Sequence, residues 1–597
     1  MIFQALYELA QRERLLDDGA YEPQPVAYLI KLGRGGEYLG YSAPRLDPVL
    51  DSKGRTKGRP RPPARSIPRR SDRTSGAKAE FLVDKAEYVF GIDPRGERDS
   101  ARLAERRALF REFVGRASDA LDSDAVHAVA TFLDREVPYE LLALTTPEKE
   151  SEKLERSGEL FAFVYEPDGG VPVHESPEVR AWFTAELDND GDDRVGQCLV
   201  TGKDGLRLAR LHAKPKNIPP KSKTKGGVPL TSVNGEAFKS YQLGDIQCAP
   251  ISREANVAIE TALNRLLDPT YKRPDGTPCE PRNVSISPDT VLLFWAREEA
   301  RLDWFGQIEH EPPEKVSELL RSPFKSAHAP IEDPAAFFAL ILSGTQGRAI
   351  VRSFVQSTVA KVARAIDRYR DEVRIVRPYG EGPGSFALRD YRRALVPRRD
   401  LDLLPPALAT DLYLAIVLDR PFPQSILQTI VRRNRVEFLP RRDRGEGRDD
   451  QILSIRCSLL KAWLTRNRKE NISVALDRQR TDPPYRLGRL LATIDHLQQD
   501  ALGNVNATIV DRYYGSASST PESVFPTLLR RSQHHLGKLR REKPGLAVNT
   551  EKLLQEIVSD LQRFPKTMTL EDQGLFALGF YHQRQDFFTK KEDKQNV

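Results

Sequence analysis

The spacing of apolar residues changes along this 597-residue chain, and that change constrains its fold more than any other sequence feature. Up to about residue 304 the apolar runs are short and mixed, with strand-like runs at 26–32, 198–200 and 291–295 and a helical pattern at 254–267. Beyond about residue 335 helical spacing prevails, and 350–369 is predicted to be one long helix. We therefore expect an α+β fold: a mixed N-terminal region with short strands and protruding basic loops, followed by a mainly helical region and a C-terminal helical bundle.

The length is too great for one domain, since a domain usually spans roughly 100–200 residues. We predict three regions, at residues 1–335, 336–476 and 477–597.

The longest apolar runs are far shorter than the ~20 residues that a membrane helix needs. The N-terminus has no basic stretch before an apolar one, and the four cysteines lie too far apart for a zinc site. These features predict a cytoplasmic protein with reduced thiols and no membrane partner.

Positive charge is concentrated in two segments, although the whole chain carries only +7. Residues 51–78 contain ten basic and two acidic residues, and residues 203–225 contain eight basic residues and one acidic residue. Both segments are rich in proline and glycine, which helices and central strands do not tolerate at this density, so we predict protruding loops. Such cations bind phosphates and release counterions, which makes affinity depend steeply on salt. The candidate nucleic-acid-binding residues are Lys53, Arg55, Lys57, Arg59, Arg61, Arg65, Arg69, Arg70, Arg73, Lys78, Lys203, Arg207, Arg210, Lys214, Lys216, Lys221, Lys223 and Lys225.

Phosphate contacts position a nucleic acid without reading its sequence, whereas base reading needs polar side chains at a groove edge. Gln197, Ser232 and Asn234 lie near the second basic segment and are candidates for that role. The alternatives stay open: each basic segment is a solubilising linker, or Asn234 is an ordinary turn residue. No catalytic motif is present, because the nine histidines form no metal-binding pair and no G-x-S-x-G occurs. We therefore expect a protein that is not an enzyme and has no cofactor or metal.

Ordered sequence blocks along almost the whole chain resemble one protein family. They are residues 1–7 (MIFQALY), 81–91 (FLVDKAEYVFG), 198–202 (CLVTG) with 209–212 (ARLH), 230–241 (LTSVNGEAFKSY), 250–252 (PIS) with 262–267 (ALNRLL), 293–296 (LFWA), 485–490 (YRLGRL) and 577–583 (ALGFYHQ). In order and spacing these blocks resemble the large subunit of the type I-C CRISPR effector complex, Cascade.

The resemblance implies a non-catalytic subunit near the 5′ end of a guide CRISPR RNA. It implies that residues 1–335 recognise a protospacer-adjacent motif in duplex DNA, that the subunit helps to open the duplex into an R-loop, and that a separate helicase–nuclease is recruited in trans. Its implied partners are the target duplex and its displaced single strand, the backbone and guide-end Cascade subunits, and small subunits. RNA-guided complexes leave most sequence reading to base pairing, which agrees with a protein that carries no catalytic set.

The C-terminal region, residues 477–597, resembles the family's small subunit, which is also made from an internal start. Here the only internal methionine is Met568, so a separate product would need a non-AUG start near Val474. The basic residues of this region either line a path for the displaced single strand or form a solvated helix face. They are Arg512, Arg530, Arg531, Lys538, Arg540, Arg541 and Lys543.

Two other functions remain as alternatives at the level of sequence. Acidic residues are plentiful, so a metal-dependent nuclease whose ligands assemble only in the fold is one of them. A transcriptional regulator is the other, but the sequence contains no clear helix-turn-helix with a basic recognition helix.

Overall fold

The protein is described here from a computed structural model, in which the chain divides into two compact units. Unit 1 comprises Met1–Pro215 and Thr231–Pro281, and unit 2 comprises Lys216–Leu230 and Arg282–Val597. The boundaries predicted near residues 335 and 476 are not those of the two units, and the three-region organisation stays a prediction. The structure describes residues 2–16, 20–43, 46, 62–70, 77–188, 194–209, 211–220, 227–233, 235–239, 243, 247–273, 277–321, 329–345, 347–378, 381–437, 449–503, 505 and 507–589.

Unit 1 combines helices with short strands. Its helices are α1 (Ile2–Arg12), α2 (Ala86–Val89), α3 (Ser100–Ala120), α4 (Asp124–Leu133), α5 (Tyr139–Thr145), α6 (Glu150–Arg156), α7 (Pro177–Asp188) and α8 (Arg253–Leu267). Its strands are β1 (Tyr21–Pro25), β2 (Tyr28–Leu32), β3 (Tyr38–Ser42), β4 (Ala64–Pro68), β5 (Asp84–Lys85), β6 (Leu160–Tyr165), β7 (Val195–Gly196) and β8 (Leu206–Arg207).

A four-stranded sheet of order β3-β2-β6-β5 forms the centre of unit 1, with β2 and β6 parallel and the other pairs antiparallel. Every residue of β6 is buried, as expected of a strand covered on both faces. Helices α3 and α4 contribute Phe110 and Phe132, whose rings pack against Phe163 of β6. Burial of these aromatic rings accounts for much of the stability of this core. Outside the sheet, β1 pairs with β4 and β7 pairs with β8, both antiparallel.

Helix α8 packs against the N-terminal helix α1. The guanidinium of Arg265, on α8, donates to Glu13 just after α1 at 3.0 Å, and Arg265 is only 3% exposed. At the other end of α8, Tyr7 donates to Glu254 at 3.0 Å. These polar contacts fix α8 along its whole length, which matters because the candidate interface is built on this helix.

Unit 2 contains one sheet and most of the helices. Its strands are β9 (Asn283–Ser287), β10 (Thr290–Ala296), β11 (Ala336–Thr345), β12 (Arg348–Thr358), β13 (Ile375–Val376) and β14 (Pro383–Gly384). Its helices are α9 (Asp303–Gln307), α10 (Pro313–Arg321), α11 (Val359–Val373), α12 (Leu388–Ala394), α13 (Pro406–Val417), α14 (Gln424–Glu437), α15 (Asp449–Arg468), α16 (Pro483–Leu502), α17 (Ile509–Ser519), α18 (Pro521–Glu542), α19 (Pro544–Val558) and α20 (Leu570–Phe588).

The long helix predicted at 350–369 is wrong over its first half, where the chain forms β12 in an antiparallel sheet of order β12-β11-β10-β9. A β-bulge explains the error. Val351 of β12 pairs with Leu342 of β11, and Phe354 of β12 pairs with Leu340 of β11. These pairs are two residues apart on β11 but three residues apart on β12, so β12 contains one extra residue. The inserted residue, Arg352, gives the strand an apolar spacing that imitates a helix.

Helices α11 to α20 and the sheet share one hydrophobic core. Helix α20 contributes buried residues to this core and contacts α14, α15, α16 and α17. As the helical spacing beyond about residue 335 predicts, most of this part of the chain forms helices, with the paired strands β11 and β12 at its start. The α+β fold class is thus confirmed. No helix among the described residues is long and apolar enough to cross a membrane.

Candidate nucleic-acid interface

The first basic segment is held at one end by ion pairs to the body of unit 1. On β4, the guanidinium of Arg65 lies 3.1 Å from a carboxylate oxygen of Glu175. Just after β4, Arg69 lies 2.9 Å from Glu260 of α8, and the two side chains are 22% and 21% exposed. These cations therefore fix the segment to the body as the structure stands.

The next arginine is bound in the same way. Arg70 lies 3.4 Å from Asp84, a fully buried carboxylate that also accepts the N–H groups of Glu80 and Lys85. Lys78, by contrast, is exposed and forms no ion pair within the part of the chain that the structure describes. The other candidates of this segment lie outside the described residues; they are Lys53, Arg55, Lys57, Arg59, Arg61 and Arg73.

The second basic segment begins at a tight turn, where a strand was predicted at 198–200. The N–H of Cys198 donates to Lys203 at 2.9 Å, and the N–H of Gly202 donates back to Cys198 at 2.8 Å. Gly202 has φ +72°, a left-handed conformation that suits glycine, so the chain cannot continue as a strand. The Gln197 side chain donates to the Gly202 carbonyl at 3.1 Å and is itself exposed. The strand prediction is therefore wrong here.

Residues 247–252 hold this turn and the following segment together. The N–H of Leu199 donates to Pro250 at 2.9 Å, and the N–H of Ala209 donates to Ile251 at 2.8 Å. We call the described residues of 194–215 and 231–252 the loop module. Both stretches belong to unit 1, so the module is part of one compact body.

The side chain of His212 connects three separate stretches of the chain within the loop module. Its Nε2 lies 2.9 Å from the Ala249 carbonyl oxygen, and its Nδ1 lies 3.2 Å from that of Thr231. The imidazole therefore links residues that are 19 and 37 positions away in sequence. Three of the blocks that resemble the CRISPR family, at 198–212, 230–241 and 250–252, meet at this module.

The loop module is attached to the N-terminus of α8. Ser252 caps the helix by accepting the N–H of Ala255, and its own N–H donates to the sulfur of Cys198 at 3.2 Å. Burial of Cys198 acts to raise the pKa of its thiol, but hydrogen bonds from Ser252 and Thr201 outweigh burial and lower that pKa to about 7. These contacts give the buried cysteine a positioning role at the start of the helix.

Asn256, in the first turn of α8, ties down the other side of the module. Its side chain accepts the N–H of Ala213 at 2.7 Å and donates to the Leu211 carbonyl at 3.1 Å. Helix α8 thus carries the loop module at its N-terminus and, at Glu260, the ion pair that anchors the first basic segment. Ser252 and Glu260 are eight residues apart, or about 12 Å along the axis. Both basic segments are therefore attached to neighbouring points of one helix.

Free positive charge is present on the loop module. Lys203 is exposed and Arg207 is half-buried, and neither side chain forms an ion pair to another described residue. Lys214 has an interaction partner, and Ser232 is half-buried. The remaining candidates of this segment, Arg210, Lys221, Lys223, Lys225 and Asn234, lie outside the described residues.

The later part of the second basic segment belongs to unit 2. Lys216, the first residue of that part, has an interaction partner. The two ends of 219–229 bind the tip of the β11–β12 hairpin: Gly344 donates its N–H to Pro219 at 2.6 Å, and Ala349 donates its N–H to Pro229 at 3.2 Å. The hairpin thus holds the base of this loop.

Two exposed arginines near that tip, Arg348 and Arg352, were not predicted as site residues. Arg352 is the bulge residue of β12, and its Nε donates to Ser343 of β11 at 3.1 Å. These two arginines lie near the base of the basic loop only because β11 and β12 form a hairpin. The incorrect prediction of a helix at 350–369 therefore prevented their identification from the sequence.

The C-terminal candidates lie mainly on one helix. Five of them are on α18, Lys543 follows it directly, and Arg512 is on α17. Arg531 donates to Tyr513 at 3.0 Å, and Arg540 is paired with Glu551 at 2.7 Å. Arg512, Arg530 and Lys543 are exposed and form no ion pair with any residue that the structure describes. The remaining two are Lys538, which lies 3.8 Å from Glu542, and Arg541, which donates to a backbone carbonyl of its own helix.

Among the described residues no three His, Cys, Asp or Glu side chains are placed to hold a metal ion. No curated protein matches the chain. The family model of CRISPR-associated protein (Cas_Csd1) matches residues 4–588, which is nearly the whole length. The chain therefore belongs to the Cas_Csd1 family of CRISPR-associated proteins.

Proposed function

We propose that this chain is the non-catalytic large subunit of a type I-C CRISPR RNA-guided surveillance complex. In this proposal it recognises the protospacer-adjacent motif in duplex DNA, helps to open the duplex and form the R-loop, and recruits a separate helicase–nuclease. Its partners are the guide CRISPR RNA, the target duplex, the displaced strand, the backbone and guide-end subunits, and small subunits. Membership of the Cas_Csd1 family supports this assignment.

One observation carries the proposal: the two basic segments are attached to neighbouring points of α8, the first through Arg69 and the second through the loop module. Because both segments are attached to the same helix, their cations can bind phosphates of one duplex. The chain then needs no separate DNA-binding domain. Exposed Gln197 next to unpaired Lys203 combines a side chain that can hydrogen-bond a base edge with one that binds a phosphate. This combination is what recognition of a short motif requires.

Reversing the free charges of the loop module tests the proposal. The complex is assembled with guide RNA and either the wild-type chain or a Lys203→Glu/Arg207→Glu variant, and its affinity for a matched duplex is measured from 50 to 300 mM salt. Each lost phosphate contact should reduce the slope of log K against log salt by about 0.9. We therefore expect about tenfold or greater weakening at low salt and a slope smaller by about 1.8.

A Lys149→Glu/Lys315→Glu variant is the matched control, because it makes the same change in charge at exposed lysines outside the loop module. The control should bind almost as the wild type does. If both variants weakened duplex binding equally, the loss of affinity would be explained by net charge alone. This result would contradict a specific interface at the loop module. Loss of affinity without any change in the salt slope would also count against phosphate contacts.

The basic residues of α17 and α18, together with Lys543, which follows α18, are proposed to guide the displaced strand. Exposed Arg512, Arg530 and Lys543 supply the charge, and Tyr513, next to Arg512 in sequence, accepts a hydrogen bond from Arg531. Single strands bind to such surfaces through phosphates and stacked bases with little sequence preference. An Arg512→Glu/Arg530→Glu variant should shorten the lifetime of the R-loop and leave the initial binding of duplex unchanged.

The absence of catalysis is part of the proposal and has its own test. The purified chain is incubated with single- and double-stranded DNA and RNA and with Mg²⁺ or Mn²⁺, with and without chelator. We expect no cleavage under any of these conditions. Cleavage that chelator abolishes and that copurifies with the chain would replace this proposal with a metal-dependent nuclease.

A further inference from the structure

Helices α5 and α6 of unit 1 expose large apolar side chains to solvent. Tyr139 and Leu142 of α5 are 82% and 41% exposed, and Leu154 of α6 is 62% exposed. Residues three apart lie on one face of a helix, so Tyr139 and Leu142 form a single apolar surface. One exposed apolar side chain needs no explanation, but several within a short segment usually mark a binding site.

Strand β3 lies beside α5 and adds to this apolar surface. It forms one edge of the four-stranded sheet, and its Leu39 and Tyr41 are both exposed. The hydroxyl of Tyr38, also on β3, donates to Glu140 of α5 at 2.9 Å. This hydrogen bond holds the helix next to the strand.

Helix α6 is attached to the same edge of the sheet. The ring of Tyr41 packs against that of Tyr28 on β2, with 5.7 Å between their centroids. The guanidinium of Arg156, the last residue of α6, lies 5.2 Å from the centroid of the Tyr28 ring. Strand β3 and the segment 136–159, which contains α5 and α6, are therefore neighbours, and we call them together the acidic face.

Helix α6 itself buries no side chain in the core of unit 1. None of its seven residues is buried, and exposed ion pairs join Lys149 to Glu152 at 3.2 Å and Lys153 to Glu150 at 2.6 Å. A helix of this length is marginal in water, and exposed ion pairs add little to its stability. A partner that covered Leu154 would therefore stabilise a helix that unit 1 supports only weakly.

The charge of the acidic face disfavours nucleic acid as that partner. Residues 136–159 contain seven glutamates and three basic residues, so they carry −4 in a chain whose total is +7. Glu136 and Glu148 are exposed and form no ion pair with any residue that the structure describes. Phosphates and anionic lipids are repelled by such a surface, whereas a protein with basic residues around an apolar centre is attracted to it.

The mixture of charged and apolar groups indicates a partner that binds reversibly. Permanent subunit contacts are strongly apolar and contain few charges at their centre, whereas charged surfaces steer association. Among the partners in the proposed function, the helicase–nuclease is the one that joins in trans. A protein that unwinds and cuts DNA needs basic residues to hold phosphates, so its charge complements that of the acidic face.

We propose that the acidic face is the surface on which the helicase–nuclease docks. This inference rests on the proposed function, because it assigns the recruitment step to particular side chains. Tyr139, Leu142 and Leu154 supply the apolar contact, and Glu136 and Glu148 attract the basic residues of the partner. Because the face repels DNA, it stays accessible after the basic segments have bound the duplex.

A Tyr139→Ser/Leu154→Ser variant tests the apolar contact in the assembled complex. Matched duplex is immobilised and loaded with complex, and the helicase–nuclease is then added without nucleotide or metal, so that biolayer interferometry records duplex binding and recruitment as separate phases. Leu403→Ser/Val548→Ser is the control, since it removes two exposed apolar side chains from unit 2. We expect normal duplex binding by both variants and at least about tenfold weaker recruitment by the first alone.

A Glu136→Lys/Glu148→Lys variant tests the charge. It should slow association of the helicase–nuclease by about tenfold at low salt and change its dissociation little, because charges steer the encounter. Glu299→Lys/Glu332→Lys makes the same change at exposed glutamates of unit 2 and should leave association nearly unchanged. This second variant keeps the proposal testable if the first one lowers the unfolding midpoint of the chain.

Other outcomes overturn the inference. If the variants of the acidic face recruit the helicase–nuclease as the wild type does, it docks elsewhere. Loss of duplex binding would assign the face to the DNA, and failure to assemble would assign it to a permanent subunit contact. If the wild-type complex binds duplex but never recruits the helicase–nuclease, recruitment by this chain is itself wrong, and this result is distinct from any result with the variants.

Discussion

Gly488 of α16 lies so close to the carbonyl oxygen of Phe576 in α20 that a Cβ atom at position 488 would overlap it. The contact is reciprocal, because a Cβ at Gly579 of α20 would overlap the carbonyl of Tyr485 in α16. The two helices therefore cross with their backbones in contact. Only glycine permits this approach, which explains the glycines within the sequence blocks YRLGRL and ALGFYHQ.

Replacing Gly488 by alanine should destabilise unit 2 strongly. The added methyl group meets backbone atoms that cannot rotate away, so the helices must separate and loosen the core between them. Overpacking of a rigid core costs about 1–3 kcal/mol and sometimes more, and we expect about 3 kcal/mol here. Urea unfolding followed by circular dichroism measures the change as a lower midpoint.

Gly537→Ala on α18 is the control for this substitution, because a Cβ at position 537 meets no atom within 4 Å. Alanine is the better helix former, so this control should gain up to about 1 kcal/mol. If Gly488→Ala and Gly537→Ala shift the midpoint in the same direction, close backbone contact does not explain the glycine at 488.

Tyr581→Phe should also weaken unit 2, because Tyr581 links α20 to the middle of the chain. Its hydroxyl lies 2.6 Å from the carbonyl oxygen of Val376 and 2.7 Å from Ser454, and all three groups are buried. Removing the hydroxyl leaves buried partners without a hydrogen bond, which costs about 1–3 kcal/mol. Tyr139→Phe, at a side chain that is 82% exposed, should change the unfolding midpoint by a negligible amount.

The stability of unit 1 should fall in mild acid because of His174. Burial, together with the positive charges of Arg65 and Arg180, lowers the pKa of His174 from 6.5 to about 3. Between these values the unfolded chain binds a proton that the folded chain does not, so the contribution of this residue is complete above pH 6.5 and is lost as the pH falls. From pH 7 to pH 5.5 the loss is about 1.3 kcal/mol.

A His174→Phe variant isolates this effect, since phenylalanine has a similar shape and does not titrate. Unfolding of the variant should depend on pH less steeply than that of the wild type, by about 1.3 kcal/mol over the same interval. An identical pH dependence in the wild type and in His174→Phe would show that His174 already binds its proton in the folded chain.

The helical half of the fold could be predicted because its helices are long and their apolar spacing persists over many turns, as in α15, α18 and α20. Short elements were predicted less well, since one local feature decides them. A single bulge residue, Arg352, made β12 resemble a helix, and the turn at Gly202 interrupted an apolar run that resembled a strand. Neither feature has a distinctive composition, and both depend on pairing or backbone conformation that only the fold specifies.

For the candidate site, sequence predicted the basic segments but not which cations are free. Arg65 and Arg69 belong to the same basic run as the other candidates, yet their carboxylate partners lie 110 and 191 residues away. The loop module could not be predicted either, because His212 and Asn256 join segments through backbone atoms, which leave no trace in composition. Charge and the ordered blocks of the family resemblance indicated these segments in advance, but neither showed that they form one module.

The ion pair between Arg69 and Glu260 should act as an anchor of the first basic segment. At about one-fifth exposure it should contribute no more than about 1 kcal/mol to stability. We expect Arg69→Ala and Glu260→Ala to weaken binding of the complex to target duplex by the same modest factor, because either change releases the segment. The double variant should bind no more weakly than the single ones, since the interaction can be removed only once.

Measuring the salt dependence of these variants separates anchoring from direct contact with DNA. An anchor neutralises no phosphate, so the slope of log K against log salt should be that of the wild type in all three variants. If Arg69 instead left Glu260 to bind a phosphate, Arg69→Ala would reduce the slope by about 0.9, whereas Glu260→Ala would free the arginine and strengthen binding. Opposite effects of the two single substitutions would therefore assign Arg69 to the DNA and contradict the role that its 2.9 Å contact with Glu260 indicates.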